Sequence, residues 1–165
     1  VRSERGFSLL ELVLVVVIVS VLAVAAIERL LAVRFEAERA TVQSVLGAMR
    51  SALYIEFAAA AARGQLARME LMPGSNPMLR LAEKPDSYAG EFFGADAGTF
   101  EPGSWYFDTQ ARALVYIVRF PERFETALPG PKRLRVAVEP DYDDVDGNGR
   151  FDPGRDALRG LKLVP

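Results

Sequence analysis

From Leu12 to Ile27 the only side chain that is not apolar is Ser20, and Phe7 to Leu10 extend the run to about twenty residues, the length a helix needs to cross a bilayer core. A chain of 165 residues with such a block near its start has two solvents to satisfy. The block calls for lipid, and the remainder reads as ordinary globular sequence with room for one domain and one core.

A secretory signal peptide is the competing reading of the block. Its apolar part spans about 7 to 15 residues and ends at small side chains, which Ala23, Ala25 and Ala26 supply. Glu11 argues against it. A carboxylate placed inside the apolar run costs on the order of 2 to 3 kcal/mol in lipid, so a cation partner is required to answer it.

Composition removes several functional classes. The chain has no cysteine and no histidine, which excludes disulfides, thiolate chemistry, the usual zinc ligands and the commonest general base near neutral pH. A net charge of −2, without any run of Lys and Arg interleaved with aromatics, gives no expectation of nucleic acid as a partner. An enzymatic reading would have to pair carboxylates such as Asp144 and Asp152 around a sugar, and no second lobe that would form a cleft is evident. A non-enzymatic role is expected.

The residues Gly6-Phe7-Ser8-Leu9-Leu10-Glu11, followed by Leu12-Val13-Leu14-Val15-Val16-Val17-Ile18, resemble the cleavage and methylation signature of type IV prepilins, the family that includes the pseudopilins of type II secretion. The resemblance implies that a membrane peptidase cuts after Gly6, that the new amine of Phe7 is methylated and that the leader, residues 1–6, is lost. It implies that Glu11 pairs with the terminal amine of a neighbouring subunit during assembly. The function it implies is that of a structural subunit, a pseudopilin or minor pilin, in a type IV pilus-like filament serving type II protein secretion. A surface pilus subunit for adhesion, motility or DNA uptake is the alternative, and a non-polymerising membrane-anchored calcium-binding module is a third reading. Many long-pilus subunits resemble one another in a disulfide-closed terminal loop, so the lack of cysteine favours the pseudopilin or minor-subunit side.

The partners so implied are a prepilin peptidase, other pilin or pseudopilin subunits, an inner-membrane assembly platform and the lipid bilayer. Arg2 and Arg5 outweigh Glu4 in the leader, which by the positive-inside tendency keeps that end cytoplasmic. The expected location is the bacterial inner membrane, single-pass, with the C-terminal part periplasmic or in an extracellular filament.

Beyond the membrane block, Val42, Val45, Leu46, Met49, Leu53 and Phe57 recur at three- and four-residue steps, the pattern of an amphipathic helix. No proline interrupts residues 7–63, and Gly64 stands where a helix would stop. One helix of about 57 residues, about 85 Å long, is therefore expected. Many major pilins carry a helix-weakening proline near the position of Glu28, which this chain lacks, and Gly47 is its internal weak point. The organisation expected is a leader (1–6), a transmembrane and assembly helix (7–30), an amphipathic continuation (31–64) and a globular part (65–165).

Residues 64–102 are broken by Pro73-Gly74, Asn76-Pro77 and Pro85-Asp86, and read as a long connection with one short helix at Leu66 to Met72. Strand signals follow at Ser104 to Phe107, Leu114 to Phe120 and Leu134 to Val138, with a turn at Thr109 to Arg112. The fold class expected is α+β: a pilin-like long helix packed on a small antiparallel sheet of about three strands.

An acidic loop, residues 141–156, follows the last of these strands. Asp144-x-Asp146-x-Asn148-Gly149 resembles the start of an EF-hand calcium loop, in which oxygens at positions 1, 3 and 5 converge on an ion and glycine at position 6 permits the turn. Position 7 would offer the carbonyl of Arg150 and position 9 would be Asp152. At position 12, where a bidentate Glu belongs, stands Arg155, and Asp156 is the nearest substitute. The candidate ligands are thus Asp144, Asp146, Asn148, Arg150, Asp152 and Asp156, with calcium as the cofactor. The competing reading is a solvated turn held by Asx hydrogen bonds.

Overall fold

A computed structural model of the protein describes residues 8–165; the leader, with Gly6, and Phe7 lie outside the described residues. The chain forms two compact units, one ending at Ala40 and the other spanning Thr41–Pro165. Helix α1 (Leu9–Ala62) passes from the first into the second.

In the first unit the large apolar side chains of α1 from Leu9 to Val33 are exposed. Among the described residues none buries them, and by length and composition this stretch is a candidate to cross a membrane. Ser20 donates its hydroxyl proton to the carbonyl of Val16 at 2.7 Å, so the one polar side chain of the run is satisfied within its own helix.

In the second unit the expected stripe is the buried face of α1. Leu46, Met49 and Leu53 are in the core, with Val42, Val45 and Phe57 packed partly buried against it, and Ala60 continues the series. Met49 and Leu53 lose nearly all solvent contact, which stabilises by about 1.5 to 3 kcal/mol each. The helix ends as its sequence requires. Gly64 adopts φ 66°, the amide of Gln65 reaches back to the carbonyl of Ala60 at 2.8 Å, and that of Gly64 reaches Ala61 at 3.1 Å. This pair of bonds is the Schellman closure, which satisfies carbonyls the helix would otherwise leave open.

The sheet corrects the expectation of about three antiparallel strands. It has five strands and is mixed: β1 (Tyr88–Phe92), β2 (Trp105–Asp108), β3 (Ala113–Ile117), β4 (Arg133–Asp143) and β5 (Ala157–Val164), in that spatial order. β1 runs parallel to β2, and the remaining neighbours are antiparallel. The three expected strands are β2, β3 and the first half of β4. β1 is short and interrupted by Gly90 at φ 117°, and its register slips between Tyr88 and Glu91, so it carries little of the alternating pattern that marks a strand.

The 64–102 connection contains the short helix, α2 (Leu66–Met69), together with β1 and two 3₁₀ turns, Pro77–Arg80 and Ala97–Thr99. Asn76 anchors it. Its side chain caps the first 3₁₀ turn through the amide of Met78 and donates to the Tyr88 hydroxyl and to Glu91 Oε1, both at 2.7 Å, tying the connection to β1. The expected turn after β2 is present: Asp108 Oδ1 accepts the amides of Gln110 and Ala111, and Arg112 takes φ 50°.

One face of the sheet carries Trp105, Phe107, Leu114, Tyr116, Val136 and Val138 in the same core as α1. Tyr106, Val115 and Ile117 point to the other face and form a smaller cluster with Ala97. β3 pairs with β4 over Leu114 to Ile117, and β5 takes over from Ala137 onward. The far half of β4 is thus one arm of a hairpin, and the acidic loop is its tip.

Candidate functional site

Two regions carry the residues singled out in the sequence. At the start of the described chain, Ser8 precedes α1 and acts as its cap. Its Oγ accepts the amide of Glu11 at 3.2 Å, and its carbonyl accepts the amide of Leu12 at 3.1 Å. Glu11 therefore sits in the first helical turn, where unpaired amides make a positive end that favours a carboxylate. Ser-x-x-Glu ahead of an apolar run is a recognised helix-start pattern, and it is the signal that would have located this cap from sequence. Gly6 and Phe7, the expected processing residues, lie outside the described residues.

At the hairpin tip, Asp144 organises the turn. Its Oδ1 accepts the amides of Gly147 at 2.7 Å and Asn148 at 3.2 Å, and its Oδ2 accepts that of Gly149 at 2.7 Å. The Gly149 amide, helped by those of Gly147 and Asn148, holds the Asp144 carboxyl below the usual carboxylate range, with desolvation opposing it. Gly147 and Gly149 both have positive φ, which is why the loop uses glycine at these places.

Asp156 is the buried member of the group. Although 5 % exposed, it is fully employed: Oδ1 accepts the amide of Val145 at 3.0 Å and Oδ2 that of Asp152 at 2.8 Å. Carboxylate oxygens of Asp144, Asp146 and Asp156 lie within 4.8 Å of one another, close enough to share one ion. Asp156 turns into the loop, whereas Arg155, at position 12 of the pattern, is exposed.

The other three candidates are placed differently. Asn148 donates to Asp152 Oδ2 at 2.7 Å and accepts the amide of Arg150 at 2.7 Å on its own Oδ1, so these residues brace the loop through each other. Arg155, which sequence reasoning passed over as a contact, extends its guanidinium to Asp146 Oδ2 at 3.3 Å. Arg159 on β5 likewise pairs with Asp143 at 3.1 Å and Asp141 at 3.7 Å. Tyr142 and Phe151 meet with their rings tilted at 56° and centroids 5.2 Å apart. Desolvation, and after it the charges of Asp144, Asp156 and Asp152, raise the Tyr142 phenol above its ordinary value. The clustered donors are all oxygens, the set that hard divalent cations take, and the loop joins two strands rather than the two helices of an EF-hand.

Residues 1–27 match the family described as the prokaryotic N-terminal methylation motif. No curated protein and no solved structure matches the chain. The chain thus carries a prepilin-type signal, the mark of a structural rather than catalytic class. Among the described residues one helix, α1, is long and apolar enough to cross a membrane.

Proposed function

We propose that this chain is a structural subunit, a pseudopilin or minor pilin, of a type IV pilus-like filament in type II protein secretion. The observation that carries the reading is the methylation motif over residues 1–27 leading into an apolar, exposed helix with a single early carboxylate, Glu11. A prepilin peptidase removes residues 1–6 and leaves the methylated amine of Phe7. The subunit is stored in the inner membrane, with its globular part periplasmic. On assembly Glu11 meets the amine of a neighbouring copy, so that two charges costly in lipid neutralise each other.

The hairpin tip holds calcium in this reading, through Asp144, Asp146 and Asp156, with Asn148, Arg150 and Asp152 completing or bracing the loop. The ion supplies positive charge to a cluster of carboxylates that otherwise repel one another. The oxygen-only donor set and the burial of Asp156 support this part.

Glu11→Leu tests the reading. The variant inserts into the membrane as the parent does, but filament assembly is lost. Normal assembly of Glu11→Leu would refute the role given to this carboxylate.

A further inference from the structure

The face of the sheet opposite α1 carries a hollow of about 220 Å³, apart from both regions described above. The pairing register builds it. Tyr106 on β2, Val115 on β3 and Arg135 on β4 are partners in one row across the sheet, and Arg133 stands two residues along β4. With β3 between them, β2 and β4 are about 10 Å apart, and the buried Val115 lies at the base of the gap. Leu128, Pro129 and Pro131 add an apolar wall, and Asp96 and Asp108 complete the charged lining.

Tyr106 is 2 % exposed, and its ring is stacked on Phe100 with centroids 3.9 Å apart. Its hydroxyl makes no hydrogen bond among the described residues, and its side chain lines the hollow. A nearly buried phenol without a partner forgoes the bonds it makes in water unless something in the hollow supplies one. Burial raises the phenol above its ordinary value, and the charges of Arg133, Asp108, Asp96 and Arg135 act on it after that, so it stays a donor at neutral pH with all four around it.

The four charges balance without pairing: among the described residues neither guanidinium comes within ion-pairing distance of either carboxylate. Backbone groups hold each one instead. Arg133 Nη1 donates to the carbonyls of Pro129 at 2.7 Å and Pro131 at 3.1 Å, and Arg135 Nη2 donates to that of Ala111 at 3.2 Å. Asp108 Oδ1 accepts the amides of Gly94, Gln110 and Ala111, and Asp96 Oδ1 accepts that of Gly98. Each guanidinium keeps further N–H groups for a ligand, and each carboxylate keeps its second oxygen. Glu139 lines a neighbouring hollow with the two arginines and not this one.

We infer that the hollow binds a free α-amino acid, its carboxylate taken by Arg133, Arg135 and the Tyr106 hydroxyl and its ammonium by Asp96 and Asp108. Guanidiniums suit a planar carboxylate, and carboxylates suit an ammonium. A simple anion would answer the arginines and set its charge against two aspartates, and a simple cation would do the reverse. The volume is below the range of about 300 to 1,000 Å³ that takes larger ligands, which favours a single amino acid over a peptide. The inference is independent of the filament reading.

The test is calorimetric titration of the full-length chain in detergent with glycine, L-alanine and L-leucine, and with acetate and ethylamine as probes of each charge alone. At least one amino acid binds about tenfold or more tighter than acetate or ethylamine. Tyr106→Phe keeps the ring on Phe100 and melts at the parent's temperature, because the hydroxyl has no protein partner to lose, yet it weakens amino-acid binding about tenfold. Arg135→Gln weakens it by about as much. Three outcomes would overturn the inference: no amino acid binding up to about 50 mM, acetate or ethylamine binding as tightly as the amino acids, or Tyr106→Phe binding like the parent. If Arg135→Gln lowers the melting temperature, Tyr106→Phe decides alone.

Discussion

Asp156 Oδ1 accepts the backbone amide of Val145 at 3.0 Å, closing the hairpin tip across eleven residues. Its other oxygen accepts the amide of Asp152, and the side chain is buried. Removing this carboxylate leaves two amides without partners, so Asp156→Ala lowers stability by about 2 to 4 kcal/mol. Asp156→Asn, which keeps an acceptor for one of them, loses less. Thermal melting of the detergent-solubilised chain without calcium checks both, and equal melting of parent and Asp156→Ala would contradict the assignment.

Calcium at millimolar concentration raises the melting temperature of the parent. At about ten times a millimolar dissociation constant the gain is about 1.4 kcal/mol, and chelation reverses it. Asp144→Ala, which removes a cluster ligand, abolishes the gain. A calcium-independent melting curve for the parent would leave the loop as a turn held by its own hydrogen bonds.

Two glycines, one inside α1 and one just past its end, respond oppositely to alanine. Gly64 holds φ 66° with open space around its would-be Cβ, so Gly64→Ala costs about 1 kcal/mol through backbone strain alone. Gly47 is inside α1 with nothing within 4 Å of its would-be Cβ, and Gly47→Ala stabilises by about 0.5 to 1 kcal/mol. Melting temperatures that move in opposite directions are the expected result.

Burial raises the phenols of Tyr88 and Tyr106 above their ordinary value. A group whose folded pKa is raised contributes stability that is fully present below its unfolded pKa, near 10, and is lost as pH rises through the folded value. The globular unit therefore weakens on the alkaline side, above about pH 10. Tyr88→Phe removes part of that loss and, because Asn76 then keeps only Glu91 as an acceptor, costs about 1 kcal/mol at neutral pH. Melting followed between about pH 8 and 11 tests the sign.

The elements with strong periodicity were legible in the sequence. The stripe from Val42 to Phe57 gave the buried face of α1, and the lack of proline before Gly64 gave its end, because a helix face and a helix stop are local properties of the chain. β2, β3 and the first half of β4 were legible for the same reason. What escaped depends on tertiary pairing. β1 is five residues long with Gly90 at its centre, and it exists because β2 lies beside it. β4 continues through Pro140 and into acidic residues that read as loop, since β5 pairs with it there, and the bulge at Asp141/Tyr142 breaks the alternation. β5 itself has Gly160 in its interior. At the hairpin tip the spacing located Asp144 and Asp146, and Asp156 was picked out as a nearby substitute. That Asn148 and Asp152 bond to each other, and that Arg155 pairs with Asp146, depended on side-chain directions that spacing does not encode.

Entry of the chain into the prepilin pathway is read from the intact mass and terminal sequence of the protein from native membranes, with and without its prepilin peptidase. A chain beginning at N-methylated Phe7 that disappears when the peptidase is absent is the expected result. An uncleaved chain in the presence of the peptidase, or cleavage near Ala26, would contradict it.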